Sequence, residues 1–375
     1  MTAARLIATR IRQGKGPDLA AVEEVAAADA VRLGAVGVEQ AQRALASEVM
    51  GLGPLEGCLA DDTVTDVLVN GDGAVWVDRG HGLERWPSQL PDADAARRLA
   101  VRLAGLAGRR LDESQPWVDG LLPRGVRLHA MLPPLVDGGA HVSLRVARGV
   151  AGGLGALATM GMFDARVHEV LGALVARRRS FVVTGGTGCG KTTLLAAMLA
   201  EVPANERIVV VEDVRELAIA HPHVVRLQGR GANVEGQGSV TLVDLVRQAL
   251  RMRPDRLVVG EVRGPEVREM LAALNTGHEG GCGTVHANAP GDVPARFEAL
   301  GALAGMQPGA VHAQVASALQ AVVHVDRGAR GRFVSSVSVL TRVGTNVVSE
   351  VALDLVAATA GPGWPALARL TGLGP

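Results

Sequence analysis

The chain has 375 residues, with 38 basic and 38 acidic groups, three cysteines and no tyrosine. At roughly 100–200 residues per domain this length holds two domains, and a net charge of zero excludes a global electrostatic draw to nucleic acid or to membrane surfaces. Hydrophobic residues make up 48% and aromatics 2%, so the core must be built from Ala, Val and Leu; Cys58, Cys189 and Cys282 form no CxxC pair, which argues against a disulfide framework or a paired-cysteine zinc knuckle and fits a reducing cytoplasm.

The opening MTAARLIATRIRQGKGPD scatters charge and lacks the apolar run of a secretory signal. Residues 1–50 are predicted helical: DLAAVEEVAAADAVRLG and VEQAQRALASEVMGLG carry apolar residues three and four apart, and each ends at Gly. From residue 51 the texture changes. VTDVLVNGDGAVWVD predicts a strand, a turn at Asn70 to Gly73 and a second strand, because Asn and Gly accept positive φ. DADAARRLAVRLAGLAGR is an amphipathic helix, and GVRLHAML and AHVSLRVA are two further strands. Residues 51–147 therefore read as a small α/β domain. RGVAGGLGALATMGMFD follows, with Gly152, Gly153, Gly155 and Gly161; residues 148–163 are assigned to a linker that carries a short helix.

Residues 164–375 alternate strand and helix. SFVVT, RIVVVE, HVVRLQ, RLVVGE and GTVHA are short β-branched runs separated by helical segments, which predicts a mostly parallel sheet with helices on both faces. The stretch Gly301 to Val325, free of Asp, Glu, Lys and Arg, contains Pro308 and reads as a buried helix followed by a strand rather than a membrane span. FVSSVSVLTRV and NVVSEVALDLV predict an antiparallel hairpin at the sheet edge, and ATAGPGWPALARLTGLGP is predicted to lie on the surface.

The segment GGTGCGKTT runs Gly185, Gly186, Thr187, Gly188, Cys189, Gly190, Lys191, Thr192, Thr193 and fits G-x-x-x-x-G-K-[ST] between an apolar strand and a helix former. The glycines let successive backbone N–H groups converge on a phosphate, and the helix that begins near Lys191 points its positive end at the same place. Thr192 offers a hydroxyl to Mg²⁺, and Lys191 bridges the outer phosphates of ATP. Lys15 and Lys191 are the only lysines; arginine supplies nearly every other positive charge.

Four further groups narrow the chemistry. Glu261 ends the strand RLVVGE, where a carboxylate positions or deprotonates an attacking water; Gly260 stands where an acidic residue is usual. Glu212 and Asp213 end RIVVVED and either hold Mg²⁺ through water, share the activation of water, or, for Asp213, cap the next helix. In NTGHEGGCGTVHAN, His286 follows a strand and is placed to sense a γ-phosphate, while His278 is as well explained as a structural histidine; no HExxH or Cys/His spacing supports zinc. Arg127, Arg145, Arg251, Arg253, Arg256 and Arg263 are candidates for phosphate contacts, each also explicable as a surface or ion-pair residue.

The four boxes GGTGCGKTT, VVVEDVREL, RMRPDRLVVGEVRG and GHEGGCGTVHAN, in that order, resemble those of the traffic ATPases of type II/IV secretion and pilus assembly. The likeness is strongest to the Tad/Cpa (tight-adherence pilus) branch, and within it to actinobacterial members associated with conjugal transfer. LGPLEGCLADDTVTDVLVNG and LPRGVRLHAMLPP extend it into the first domain, and the tetracysteine insertion of other branches is absent. The resemblance implies a homohexamer of a PAS-like α/β domain joined to a RecA-like ATPase domain, with nucleotide held between the two. It implies Lys191 and Thr192 on phosphate and Mg²⁺, Glu261 as catalytic carboxylate, Glu212 assisting, His286 as γ-phosphate sensor, and Arg127 and Arg145 reaching the nucleotide. It further implies an inner-membrane platform protein as partner, with association at the cytoplasmic membrane face through it. The rival readings are an ATPase for conjugal DNA transfer, a low-turnover nucleotide switch, and a P-loop kinase, for which no acceptor site or lid is visible. Neutral charge and few aromatics give no basic, stacking-rich surface, so direct DNA binding is not expected.

Overall fold

A computed structural model describes residues 52–80, 82–146, 152–231, 237–328 and 331–374. The two helices expected within residues 1–50 lie outside the described residues. The chain divides into two compact units, Met1–Arg148 and Gly149–Pro375.

The first unit is a six-stranded antiparallel sheet in the order β3-β2-β1-β6-β5-β4. Its strands are β1 (Asp66–Val69), β2 (Val75–Asp78), β3 (Leu83–Arg85), β4 (Trp117–Leu121), β5 (Val126–Met131) and β6 (His141–Val146). The expected hairpin joins β1 to β2, and Gly73 takes φ +89° in its turn, a conformation that favours glycine. The helix Ala93–Leu106 starts where Asp92 accepts a hydrogen bond from Ala95 N at 2.7 Å, and its buried stripe of Ala96, Leu99, Ala100 and Leu103 covers one sheet face. Strands β3 and β4 were not expected. All three residues of β3 are exposed, which leaves no period to read, and β4 contains Asp119 and Gly120, both poor strand formers.

The second unit carries a nine-stranded sheet in the order β15-β14-β13-β12-β7-β11-β10-β8-β9. The strands are β7 (Phe181–Gly185), β8 (Ile208–Glu212), β9 (Val224–Gln228), β10 (Arg256–Val259), β11 (Cys282–Val285), β12 (Ala321–Gly328), β13 (Gly331–Val343), β14 (Asn346–Asp354) and β15 (Thr359–Ala360). From β12 to β9 every pairing is parallel; β13, β14 and β15 extend the sheet antiparallel. Strands β7, β8, β10 and β11 are buried along their whole length, as strands covered on both faces must be. Alternate residues serve two cores: Phe181, Val183, Ile208 and Val210 face one layer of helices, and Val182, Val209 and Val211 face the other. The uncharged stretch from Gly301 forms the end of one helix, a second helix at Pro308–Ala318, and β12. Among the described residues no helix is long and apolar enough to cross a membrane.

Two expectations need correction. The short helix expected within residues 148–163 is present at Leu154–Thr159, but Leu154, Leu157, Met162 and Phe163 are buried in the second unit's core, so this part belongs to that unit rather than to a linker. Their glycine neighbours mask a short apolar helical face. The C-terminal segment is not a surface tail, since the helix Trp364–Thr371 buries Leu367 and Ala368 and stacks Trp364 beneath the Arg166 guanidinium, 4.2 Å from the ring centre.

Candidate functional site

The loop from Gly185 to Gly190 joins β7 to the helix Lys191–Ala200 at the carboxyl edge of the parallel strands, where ligands of open α/β sheets bind. Its backbone needs glycine: Gly185, Gly188 and Gly190 have φ +142°, +73° and +101°. A Cβ at Gly185 would lie 2.1 Å from the Val325 carbonyl oxygen, so the loop is seated directly against β12. Gly186, Thr187 and Gly188 are exposed, and Thr192 and Thr193 are half-buried in the first turn of the helix. Cys189 turns inward, donates its thiol to Gly186 O at 3.0 Å, and has its pKa raised by burial, so it clamps the loop as a neutral thiol.

Lys191 is buried, and its Nζ donates to Gly185 O at 3.0 Å and Gly186 O at 2.7 Å. The ammonium thereby lies inside the glycine loop. Nζ also lies 3.4 Å from His286 Nδ1, and His286 Nε2 lies 2.6 Å from Glu261 Oε1. Sequence-distant Lys191, His286 and Glu261 thus form one chain of polar contacts. They meet because β7, β11 and β10 are neighbours and each strand ends at the same edge.

Burial pushes the His286 pKa below its ordinary 6.5, Lys191 and Arg296 push the same way, and Glu261 opposes them. The neutral ring then has one consistent arrangement: Nδ1 accepts from Lys191 and Nε2–H donates to Glu261. A folded-state pKa below the unfolded value gives stability that is full above pH 6.5 and is lost as pH falls through the folded pKa. Chemical denaturation at pH 7.5 and 5.5 is expected to show a smaller acid loss in His286→Gln than in the parent chain; equal losses would remove His286 from this account.

Glu212 ends β8 beside Gly260. Its Oε1 accepts from the backbone N–H groups of Glu216 and Leu217, both at 2.9 Å, which fixes the carboxylate at the turn after the strand. A Cβ on residue 260 would lie 2.6 Å from Glu212 Cγ, so the missing acidic residue before Glu261 has a steric cause. The neighbouring strand already sends a carboxylate into that space. Gly260→Ala should cost about 1–3 kcal/mol of stability, the usual range for overpacking, and should lower turnover by displacing Glu212. A variant with parental denaturation midpoint and parental turnover would contradict the packing argument.

The Thr192 hydroxyl points to Glu216 Oε2 at 3.5 Å. Glu216 was not singled out from the sequence; it lies four residues beyond Glu212 in an irregular segment and is drawn to it by its own backbone N–H, which donates to Glu212 Oε1. The backbone on both sides of Glu261 is held: Thr284 Oγ1 donates to Gly260 O at 2.7 Å, and buried Glu266 accepts from Arg263 N at 2.7 Å and Gly264 N at 2.8 Å. Thr284 and Glu266 were also missed; neither has a motif, only contacts. Asp213 pairs with the Arg263 side chain and tethers the two loops that carry the acidic residues.

Three arginine candidates lie at the wrong edge. Arg251, Arg253 and Arg256 precede or begin β10, at the opposite end from Glu261. Arg256 is almost wholly buried, with Nε on Glu206 Oε2 at 2.6 Å and a second nitrogen on Val175 O at 3.0 Å; Arg253 pairs with Asp255 at 3.8 Å. His278 is likewise at the amino end of β11, with Nδ1 on Ala273 O at 3.3 Å. In the first unit, Arg127 and Arg145 are register partners on β5 and β6, on the sheet face away from its core, and Arg145 Nε bonds Asp66 Oδ1 at 3.1 Å.

The residues present fit a nucleoside triphosphate with a divalent cation. A glycine cradle and a helix N-terminus face the phosphate side, one ammonium lies within the loop, and a hydroxyl stands next to carboxylates. Among the described residues no group of three or more His, Cys, Asp or Glu could hold a metal by itself. A cation here would take its other ligands from phosphate and water.

A parallel α/β sheet with this loop at its carboxyl edge defines a P-loop nucleotide-binding fold. The family model "Type II/IV secretion system protein" matches residues 48–342, and the chain belongs to that family. It is 57% identical over 296 residues to a putative conjugal transfer protein of Mycobacterium tuberculosis, covering 77% of this chain and 84% of that protein. It is 32% identical over 284 residues to the conjugal transfer protein TrbB of Rhizobium radiobacter, covering 74% and 84%. The crystal structure of the pilus retraction motor PilT with bound ADP matches with a TM-score of 0.55 at 22% identity, over 77% of this chain and 83% of that one, which shows the shared fold alone.

Proposed function

We propose that this chain is an ATP-hydrolysing motor that powers transport through a membrane-embedded secretion machine, with pilin subunits or other protein as cargo, in the Tad/Cpa branch of the family. The observation that carries the reading is the contact chain Lys191–His286–Glu261 beside the glycine loop. In this reading the loop from Gly185 to Thr193 binds the phosphates of ATP, and Thr192 and Glu212, with Glu216 alongside, would hold Mg²⁺. The cation supplies neutralisation of phosphate charge when bound. Glu261 orients and deprotonates the attacking water, Glu212 assists, and His286 reads the γ-phosphate. Arg127 and Arg145 are candidates to bind phosphate oxygens. The first unit is read as a PAS-like α/β domain, and the working assembly as a homohexamer docked on an inner-membrane platform protein at its cytoplasmic face.

The printed names of the mycobacterial and Rhizobium relatives favour a second reading, in which the same chemistry powers conjugal DNA transfer. Zero net charge and 2% aromatics weigh against direct DNA contact. ATPase assays of the full chain, with single-stranded DNA or with membranes bearing the platform protein, separate the two. Stimulation by the membranes alone is the expected result; stimulation by DNA alone would transfer the conclusion to the second reading, and an inert chain would overturn both.

A further inference from the structure

His324 is a buried titratable group that the chemistry above does not use. It lies on β12, 2% exposed, directly opposite Thr184 of β7 in the parallel register, with Val325 opposite Gly185. Its Nδ1 lies 2.8 Å from Thr184 Oγ1, the last side chain before the glycine loop. The backbone of Asn288, two residues beyond His286, is a further hydrogen-bond partner of the ring. One imidazole therefore touches both the strand that enters the glycine loop and the loop that carries His286.

The surroundings make this a mechanical link. Thr184 is flanked by His324 on β12 and by Val285 on β11, and Val285 immediately precedes His286. Gly185 presses on the Val325 carbonyl so closely that no Cβ fits between them. The β12–β13 ladder shifts register between His324 and Val325, so the strand is irregular at this contact. Burial pushes the His324 pKa down, against the opposing pull of Asp326, whose carboxylate is 3.8 Å from Nε2, and of Asp292; Lys191 reinforces the shift. A neutral ring offers one acceptor and one donor nitrogen, shared between the Thr184 hydroxyl and the Asn288 backbone.

We propose that His324 is a positioning residue that holds the His286 loop in register with the glycine loop, so that a change at the phosphates is transmitted to His286 and through it to Glu261. The inference rests on the reading of the site as an ATP site. It acts through His286 and touches no reacting atom.

Two near-isosteric changes cut the link on different sides. His324→Asn keeps a polar atom near the Nδ1 position, facing Thr184, but is too short to reach Asn288. His324→Gln extends its amide towards the Asn288 backbone while giving up the Thr184 contact. The readouts are kcat, the Kd for ADP, and the preference for ATPγS over ADP in the full chain. His324→Asn should lower kcat roughly tenfold or more, since small misplacements cost that much, and should erase the ATPγS preference, with ADP affinity within about threefold of parental. His324→Gln, which gives up the Thr184 contact, should erase the preference as well. Adding His324→Asn to His286→Gln should cause no further loss of preference, because the effect passes through His286. A purely structural histidine predicts instead that both variants lose melting temperature and activity in proportion; that result, or a parental preference in either variant, overturns the proposal. Should both variants fail to fold, Thr184→Val cuts the same link while keeping volume, and an unchanged preference there overturns it equally. If the parent chain binds no nucleotide, the ATP-site reading fails and carries this inference with it.

Discussion

Lys191→Arg is expected to lose ATP hydrolysis by about 10²–10³-fold in kcat, the range for removing one electrostatic contact to a transition state, although the charge is kept. The side chain is buried, and its nitrogen sits 3.0 and 2.7 Å from two carbonyl oxygens of its own loop. A compact ammonium fits between them on a flexible stem; a planar guanidinium with five donors does not. The loop cannot widen to admit it, because Gly185 is pressed against Val325 O and Arg332 Nε donates to Gly188 O at 2.9 Å from the outside. Substantial turnover by the arginine variant in a phosphate-release assay would sink this account. A chain that otherwise uses arginine almost everywhere has kept lysine where shape, not charge, is limiting.

Glu261→Gln should lower kcat by roughly 10²–10⁴-fold, the usual scale for a general base, while ATP affinity stays near parental. The amide oxygen of Gln can still accept from His286 Nε2, so the 2.6 Å contact and the loop around it survive. What disappears is the capacity to take a proton from water. Equilibrium binding of ATP alongside single-turnover hydrolysis measures the two effects separately. A variant that keeps hydrolysis would reduce the protein to a site whose turnover depends on another group, and Glu212 would be the first to test.

Some of this was legible residue by residue. The glycine loop is contiguous, and each of its φ values above zero falls on a glycine: Gly185 and Gly190, which the motif demands, and Gly188 between them. The parallel strands announced themselves as unbroken β-branched runs, since both faces are buried and no polar alternation is left. Glu261, Glu212 and His286 were singled out because each sits at the end of such a strand. The errors have two sources. Arg256 and Glu261 are five positions apart, and at about 3.3 Å per residue in a strand that separation carries them to opposite edges of the sheet. Adjacency in a motif box misled there. In RGVAGGLGALATMGMFD, glycine frequency outweighed a two-leucine stripe that turned out to be core.

The amino-acid sequence alone determined the form of the glycine loop, because it depends on local backbone freedom and on one short stretch of chain. It determined the α/β alternation, because burial on both faces writes itself into composition. Only the tertiary structure decided that Lys191, His286 and Glu261 touch, since that follows from the strand order β7-β11-β10. Only it gave Gly260 a reason, in the side chain of Glu212 arriving from the next strand. Only it turned His324 from an unremarked residue in an apolar run into the contact between two loops. Such roles are properties of pairs brought together across distances of chain from Glu261–His286 up to the 140 positions between Thr184 and His324, and no short window of sequence contains both partners.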